Sequence, residues 1–275
     1  MRVVAFANNL VGLQIVKYLA GHEQTELVGL VTHNPDNARY RDDIIAASAL
    51  AEEDVLDAPK LREPVGQNWL QEHEAQLGAS LFFGHILRVD VLELFPNGIV
   101  NTHPAYLPWN RGTYPNVWSI VDQTPAGVTL HYMDEGVDTG DIITQRRVKI
   151  EPVDTGKTLY RKLEDACVDV FQNSWPLLLR GDVQPVEQDN EAGTHYRRKD
   201  VEGIDCIDLD ETYRAGDLID ILRARTFPPH NGAYFEVDGR RVGLRLELEY
   251  LDDQDAVDTT QNQNDEKGDD AEYSD

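Results

Sequence analysis

The feature that most constrains the fold is a set of apolar segments too short to be buried helices and too continuous to face water. Residues 2–7 (RVVAFA) carry no polar residue after Arg2, which suits a strand covered on both faces. Leu13, Val16, Leu19 and Ala20 follow at helical spacing, and a second apolar run extends from Leu27 to Val31. Residues 42–50 and 67–76 read as helices, 79–83 (ASLFF) as another buried strand, 88–95 as a short helix, and 98–102 (GIVNT) as a strand ending at His103. This alternation predicts a mostly parallel, Rossmann-like α/β sheet with helices on both faces. Such sheets carry their sites beyond the carboxyl ends of the strands.

Past His103 the periodicity changes. Residues 126–134 (AGVTLHYMD) and 141–150 (DIITQRRVKI) alternate as strands do, joined by the glycine-containing turn EGVDTG at 135–140. A long helix is expected over 155–179, with Asp154 or Thr155 as its N-cap and Gly181 just past its end. Residues 181–250 read as a small β-rich C-terminal subdomain with hairpins around Asp238-Gly239. Residues 251–275 hold ten acidic residues and one Lys, which predicts a disordered acidic tail. The expected division is therefore a main domain over 1–180, a subdomain over 181–250 and the tail.

Charge narrows the function. The net charge is −25, only seven of 25 basic residues are Lys, and outside the tail 40 acidic residues face 24 basic ones. We read this as a solvated acidic surface of the kind carried by proteins that work in concentrated salt. It bears on solubility rather than fold, and it opposes nucleic-acid binding, which needs a basic footprint. No apolar run approaches the roughly 18 residues of a membrane span. The N-terminus MRVVAFANNL lacks the long apolar segment and cleavage site of a signal peptide. A cytoplasmic protein with no membrane partner is expected. Cys167 and Cys206 stand 39 residues apart with no CxxC pair, so neither a metal site nor a disulfide framework is expected.

The chemistry concentrates between residues 96 and 145. Asn101 and His103 lie two apart at a strand end, so their side chains share a side. After them come Ala105-Tyr106-Leu107-Pro108-Trp109-Asn110-Arg111-Gly112, then Gly127-Val128-Thr129-Leu130-His131, then Asp134-Glu135-Gly136-Val137-Asp138-Thr139-Gly140-Asp141-Ile142. In this order the Asn-x-His, Leu-Pro, Arg-Gly, Gly-Val-Thr-x-His and Asp-Thr-Gly-Asp-Ile elements resemble the folate-dependent formyltransferase family, over about residues 1–180. That family includes methionyl-tRNA formyltransferase, glycinamide ribonucleotide transformylase and sugar N-formyltransferases.

The resemblance implies transfer of a formyl group from 10-formyltetrahydrofolate to an amine. It implies that Asn101 and His103 donate to the oxygen that becomes negative, and that Asp138 orients the imidazole and relays a proton through water. It implies no metal, because the carrier brings the reactive carbon. Phe83, Gly84, His85, Ile86 and Leu87, the segment Ala105, Tyr106, Leu107 and Pro108, and Thr139, Gly140 and Asp141 match the family's pterin pocket. Asn8, Asn9, Arg111 and Gly112 are expected on the acceptor side. Arg111 reads equally as a surface residue or as a clamp for a carboxylate or phosphate. His131, inside its strand, reads as a satisfied core residue.

Residues 110–118, 193–200 and 222–229 resemble the sugar N-formyltransferases more than the other members. Arg197, Arg198 and Lys199 there either meet a diphosphate or form an exposed basic turn. A nucleotide-linked amino sugar is thus the expected acceptor, and a homodimer the expected assembly. Three other readings stay open. One is formylation of methionyl-tRNA, which the acidic body disfavours. The second is hydrolysis of 10-formyltetrahydrofolate to formate, and the third a non-catalytic folate- or sugar-binding module.

Overall fold

The computed structural model describes residues 1–36, 38–189 and 191–251. The acidic tail expected from 251 onward lies, beyond Leu251, outside them. The first part alternates β1 (Arg2–Ala7), α1 (Asn9–Gly21), β2 (Glu26–Thr32), α2 (Arg41–Ser48), β3 (Val55–Asp57), α3 (Pro64–Glu72), β4 (Leu77–Leu81), α4 (Val89–Leu92) and β5 (Ile99–His103). There follow β6 (Arg111–Gly112), α5 (Pro115–Val121), β7 (Gly127–Tyr132), β8 (Ile142–Arg147) and α6 (Gly156–Arg180). The C-terminal part holds β9 (His195–Tyr196), α7 (Glu202–Asp205), α8 (Ala215–Ala224), β10 (Tyr234–Val237) and β11 (Arg240–Gly243).

The central sheet runs β3-β2-β1-β4-β5-β7-β8. The pairings from β3 through β5 are parallel, and β7 and β8 are added antiparallel. Both faces are covered. Val3 and Ala5 point into a core shared with α1, α2, α5 and α6, whereas Val4 and Phe6 point into one shared with α3 and α4. That is why β1 reads as an unbroken apolar run. Chain order reverses between β1 and β4, and a crevice at such a switch point is where α/β sheets place their ligands.

Helix α6 anchors the larger core. Thr155 caps it, accepting from the Thr158 N–H at 3.3 Å while the Thr158 hydroxyl accepts from the Thr155 N–H at 2.9 Å. Leu159, Leu163, Phe171 and Trp175 are fully buried along one face, each stabilising by about 1.5–3 kcal/mol relative to exposure. Pro176 sits inside the helix and has no N–H to give the Gln172 carbonyl. The Tyr18 hydroxyl on α1 donates to that carbonyl instead, at 3.3 Å. Gly181, with φ 72°, ends the helix in the left-handed region.

The hairpin β10–β11 forms around Asp238-Gly239, both at positive φ. Helix α8 also lies in this part, within a stretch whose sequence reads as β-rich. Its Leu218, Ile221 and Leu222 have helical spacing but are interrupted by Asp217 and Asp220, which hid the period. Among the described residues no helix is long and apolar enough to cross a membrane.

Candidate active site

Antiparallel pairing of β5 with β7 sets the site's register. Asn101 stands opposite His131, and His103 opposite Thr129; directly opposed side chains touch. The Asn101 Nδ2 is 3.1 Å from the His131 Nε2. Asp138 comes in from the turn between β7 and β8, held at φ 56°. Its Oδ2 lies 3.5 Å from the His103 Nε2 and its Oδ1 3.7 Å from the His131 Nε2. The Gly112 N–H donates to the same Oδ2 at 2.8 Å. The His103 Nε2 is also 3.3 Å from the Asn110 carbonyl oxygen. A carbonyl and a carboxylate only accept, so this nitrogen carries the hydrogen. His103 and His131 are buried.

Two buried amides that had no expected role hold the loops in place. Gln188, 5% exposed, donates to the carbonyls of Asp138 at 3.0 Å and Gly140 at 2.6 Å. Its Oε1 accepts from Arg111 Nε at 3.2 Å and Nη2 at 2.7 Å. Gln188 reaches this position because Val186 and Ile142 exchange backbone hydrogen bonds at 2.8 and 2.9 Å, returning the chain along β8. Asn110, fully buried at φ 60°, donates to Ser119 Oγ at 3.0 Å and Thr124 Oγ1 at 2.8 Å. Its backbone N–H donates to Thr194 Oγ1 at 2.8 Å. Nothing local in sequence marks Gln188, because its burial depends on this long-range return. Asn110 lay within the quoted motif, but only the fold shows that it braces the loop behind His103.

Asn101, His103 and Asp138 all line one cleft of about 500 Å³. Phe83, Gly84, His85, Ile86 and Leu87 line it too, with Met133 and Val137. Ile86 is 71% exposed and Val137 40% exposed, apolar surface that a flat ring would cover. Burial and the neighbouring His33, whose ring centre is 4.5 Å away, lower the pKa of His85. Thr113, Tyr160, His195, Tyr196 and Arg197 are also part of the lining. Phe83 belongs to the smaller core and Tyr160 lies on α6 at the opposite face, so the cleft straddles the carboxyl edge of the sheet.

Several expected residues lie elsewhere. Ala105 and Leu107 are buried core residues. Tyr106 stacks on Trp109 at 6.3 Å, with Arg147 over its ring at 5.0 Å. Pro104, just before this segment, lines the cleft, whereas Ala105 to Pro108 do not. Thr139, Gly140 and Asp141 are not among the lining residues either: the Thr139 hydroxyl donates to Asp134, the Gly140 carbonyl is taken by Gln188, and Asp141 is exposed. Arg111 is buried and spent on Gln188, which places it neither at the surface nor in the cleft; Gly112 does line the cleft. The Asn8 side chain accepts from the Arg39 N–H at 2.9 Å, and Asn9 donates to Tyr160 at 3.2 Å and Glu164 at 3.3 Å. Neither is part of the lining; Tyr160 takes that position.

Known proteins resemble this chain over most of its length. The formyl transferase family model matches residues 1–173, and that of the N-formyltransferase dimerization C-terminal domain matches residues 200–250. The methionyl-tRNA formyltransferase of Myxococcus xanthus (strain DK1622) is 33% identical over 225 residues, 79% of this chain and 70% of that protein. The dTDP-4-amino-4,6-dideoxyglucose formyltransferase of Mycobacterium tuberculosis (strain ATCC 25618 / H37Rv) is 34% identical over 151 residues, 54% of this chain and 64% of that protein. A 4-N formyltransferase from Francisella tularensis superposes with a TM-score of 0.78 at 25% identity, covering 91% of this chain and 98% of that one.

Proposed function

Since this chain belongs to the formyl transferase family, we propose that it transfers a formyl group from 10-formyltetrahydrofolate to the amine of a nucleotide-linked amino sugar. The observation that carries the proposal is the convergence of Asn101, His103 and Asp138 in a cleft with an apolar side and a polar, basic side. The apolar side, with Phe83, Leu87 and the exposed Ile86 and Val137, fits a pterin ring. Bound there, the folate supplies an N-formyl group whose carbon accepts the amine and whose nitrogen leaves.

The protein's part is to stabilise charge and move a proton. Asn101 donates an N–H to the formyl oxygen as charge builds on it, and His103 stands beside it on the same side of β5. Asp138 accepts the proton that the attacking nitrogen sheds, through a water, while the Gly112 N–H holds its carboxylate in place. The 3.5 Å between Asp138 and His103 is loose for a hydrogen bond, as unliganded catalytic pairs commonly are.

The acceptor class rests on the cleft's second side. His195 and Arg197 bring basic groups to its wall in a strongly acidic protein, which suits a diphosphate. The 34% identity to a dTDP-4-amino-4,6-dideoxyglucose formyltransferase supports a sugar acceptor, and the match to a dimerization domain over residues 200–250 supports a homodimer. The test is to incubate the protein in concentrated potassium chloride with 10-formyltetrahydrofolate and a panel of dTDP- and UDP-linked amino sugars. Initiator methionyl-tRNA serves as a further acceptor. Formyl gain on a sugar is expected. Folate consumption with no formylated product would indicate hydrolysis, and formylation of the tRNA alone would overturn the sugar reading.

A further inference from the structure

We propose that His131 is a positioning residue: its unprotonated Nε2 fixes the Asn101 carboxamide so that an N–H, and not the carbonyl oxygen, is presented to the cleft. The proposal rests on the reading of Asn101 as a donor to the formyl oxygen.

Hydrogen-bond bookkeeping leads to it. The His131 Nδ1 lies 2.7 Å from the Tyr132 carbonyl oxygen. A carbonyl only accepts, so Nδ1 bears the hydrogen, and in a neutral imidazole Nε2 must then accept. The Asn101 Nδ2 at 3.1 Å is the donor it meets. A carboxamide nitrogen has two hydrogens. One is taken by His131, and the second is left for the cleft that Asn101 lines. With the amide turned round, its oxygen would face the lone pair of Nε2, which is repulsive. The orientation of Asn101 therefore follows from the tautomer of His131, and that tautomer follows from a backbone carbonyl in the same strand.

The same geometry shows what protonation would undo. An imidazolium at 131 would donate from Nε2, so Asn101 would have to offer its oxygen there and turn its nitrogen away. Asp138 Oδ1, already 3.7 Å distant, would be drawn toward His131 and away from His103. The charged and titratable groups facing His131 are Asp138, Asp134 and His103. Burial, the largest effect, and His103 push its pKa down, against the two carboxylates and the Tyr132 carbonyl. The neutral form is thus the one the site maintains. His131 is buried and satisfied, as the sequence predicts for a core residue, but the partner that satisfies it is a proposed catalytic group.

The test is a double-mutant cycle with an independent spectroscopic readout. His131→Met removes the acceptor at similar bulk, while His131→Gln returns an acceptor oxygen near the place of Nε2. Their turnover with 10-formyltetrahydrofolate and dTDP-4-amino-4,6-dideoxyglucose, or whichever panel sugar is formylated, is compared in the wild-type and Asn101→Ala backgrounds. We expect His131→Met to lower kcat about tenfold to a hundredfold, short of the 10²–10³ lost with an oxyanion donor itself. KM for the folate should stay unchanged, and His131→Gln should recover most of the loss. In the Asn101→Ala background His131→Met should cost nothing further. Equal losses in both backgrounds would make His131 a packing residue and sink the proposal. In the wild-type protein, 15N spectra of labelled histidine should show a hydrogen on Nδ1 and a bare Nε2 across about pH 6–8; a protonated Nε2 there would also overturn it. Near-normal turnover of Asn101→Ala itself would instead refute the reading of the site. An active-site loss in Asn101→Ala beside an unaffected His131→Met would refute only the positioning role.

Discussion

Asp138 answers three demands at once. Its backbone is held in the left-handed region, its carbonyl is tied by Gln188, and its carboxylate meets Gly112 and lies between two imidazoles. The neighbouring groups are as constrained, so single changes should give large, separable effects. Replacing His103 with Ala is expected to lower turnover about 10²–10³-fold while leaving the circular dichroism spectrum and the melting midpoint near those of the parent. Near-normal turnover would remove His103 from the mechanism. Glu164 is a different case, a half-buried carboxylate behind the cleft that accepts from Asn9 at 3.3 Å. Burial raises its pKa, with Asn9 opposing. A raised carboxylate pKa in the folded state means that its contribution to stability is full below the unfolded pKa and is lost as pH rises through the folded value. Glu164→Gln should therefore melt higher than the parent at neutral pH. The difference should vanish in acid, where both side chains are uncharged. A melting series across pH checks the sign.

At the scale of elements, the site depends on how helix and strand ends are finished. Pro176 leaves a carbonyl open in the middle of α6, and the Tyr18 hydroxyl covers it from α1. Tyr18→Phe should cost about 1 kcal/mol with little change in turnover, read by denaturant unfolding with an unaltered m-value. The turn carrying Asp138 has the opposite requirement, close approach. A Cβ at Gly140 would run into the Tyr132 carbonyl oxygen, so this position excludes any side chain. Three positions within the expected small subdomain are bound back to the main domain: Val186 bridges to Ile142 on β8, Gln188 holds the Asp138 turn, and β9 pairs with β6. The brace behind Asp138 thus comes from beyond α6, as does the Thr194 hydroxyl that holds the Asn110 N–H behind His103.

For the whole molecule, charge is the governing quantity. A net −25 makes the folded chain repel itself, and salt shortens that repulsion from about 10 Å at 0.1 M to about 3 Å at 1 M. The melting midpoint should rise steeply between about 0.1 and 1 M potassium chloride. A midpoint indifferent to salt would contradict the reading of the surface as one suited to concentrated salt. The structure also shows that the acidity does not reach the cleft uniformly. His195 and Arg197 line it against Asp134 and Asp138, so the proposed diphosphate would meet basic groups there despite the overall sign.

The apolar strands of the sheet, most of the order of its elements and the residues at the strand tips are legible in the sequence, because those are local matters. A strand buried on both faces must be apolar throughout, as in β1, and a two-residue spacing must put Asn101 and His103 on one side. Turn glycines and helix caps, at Gly181 and Thr155, are also readable from a few neighbours. What the tertiary structure decided was register and return. That His131 faces Asn101 depends on β7 being antiparallel to β5, which no alternation pattern specifies. That Gln188 replaces solvent behind Asp138, that Arg111 is buried, and that Ala105 and Leu107 turn inward depend on contacts made across long stretches of chain. Burial at such positions is a property of the assembled packing rather than of the residue and its neighbours, so a motif can name a loop without showing which of its side chains turn inward.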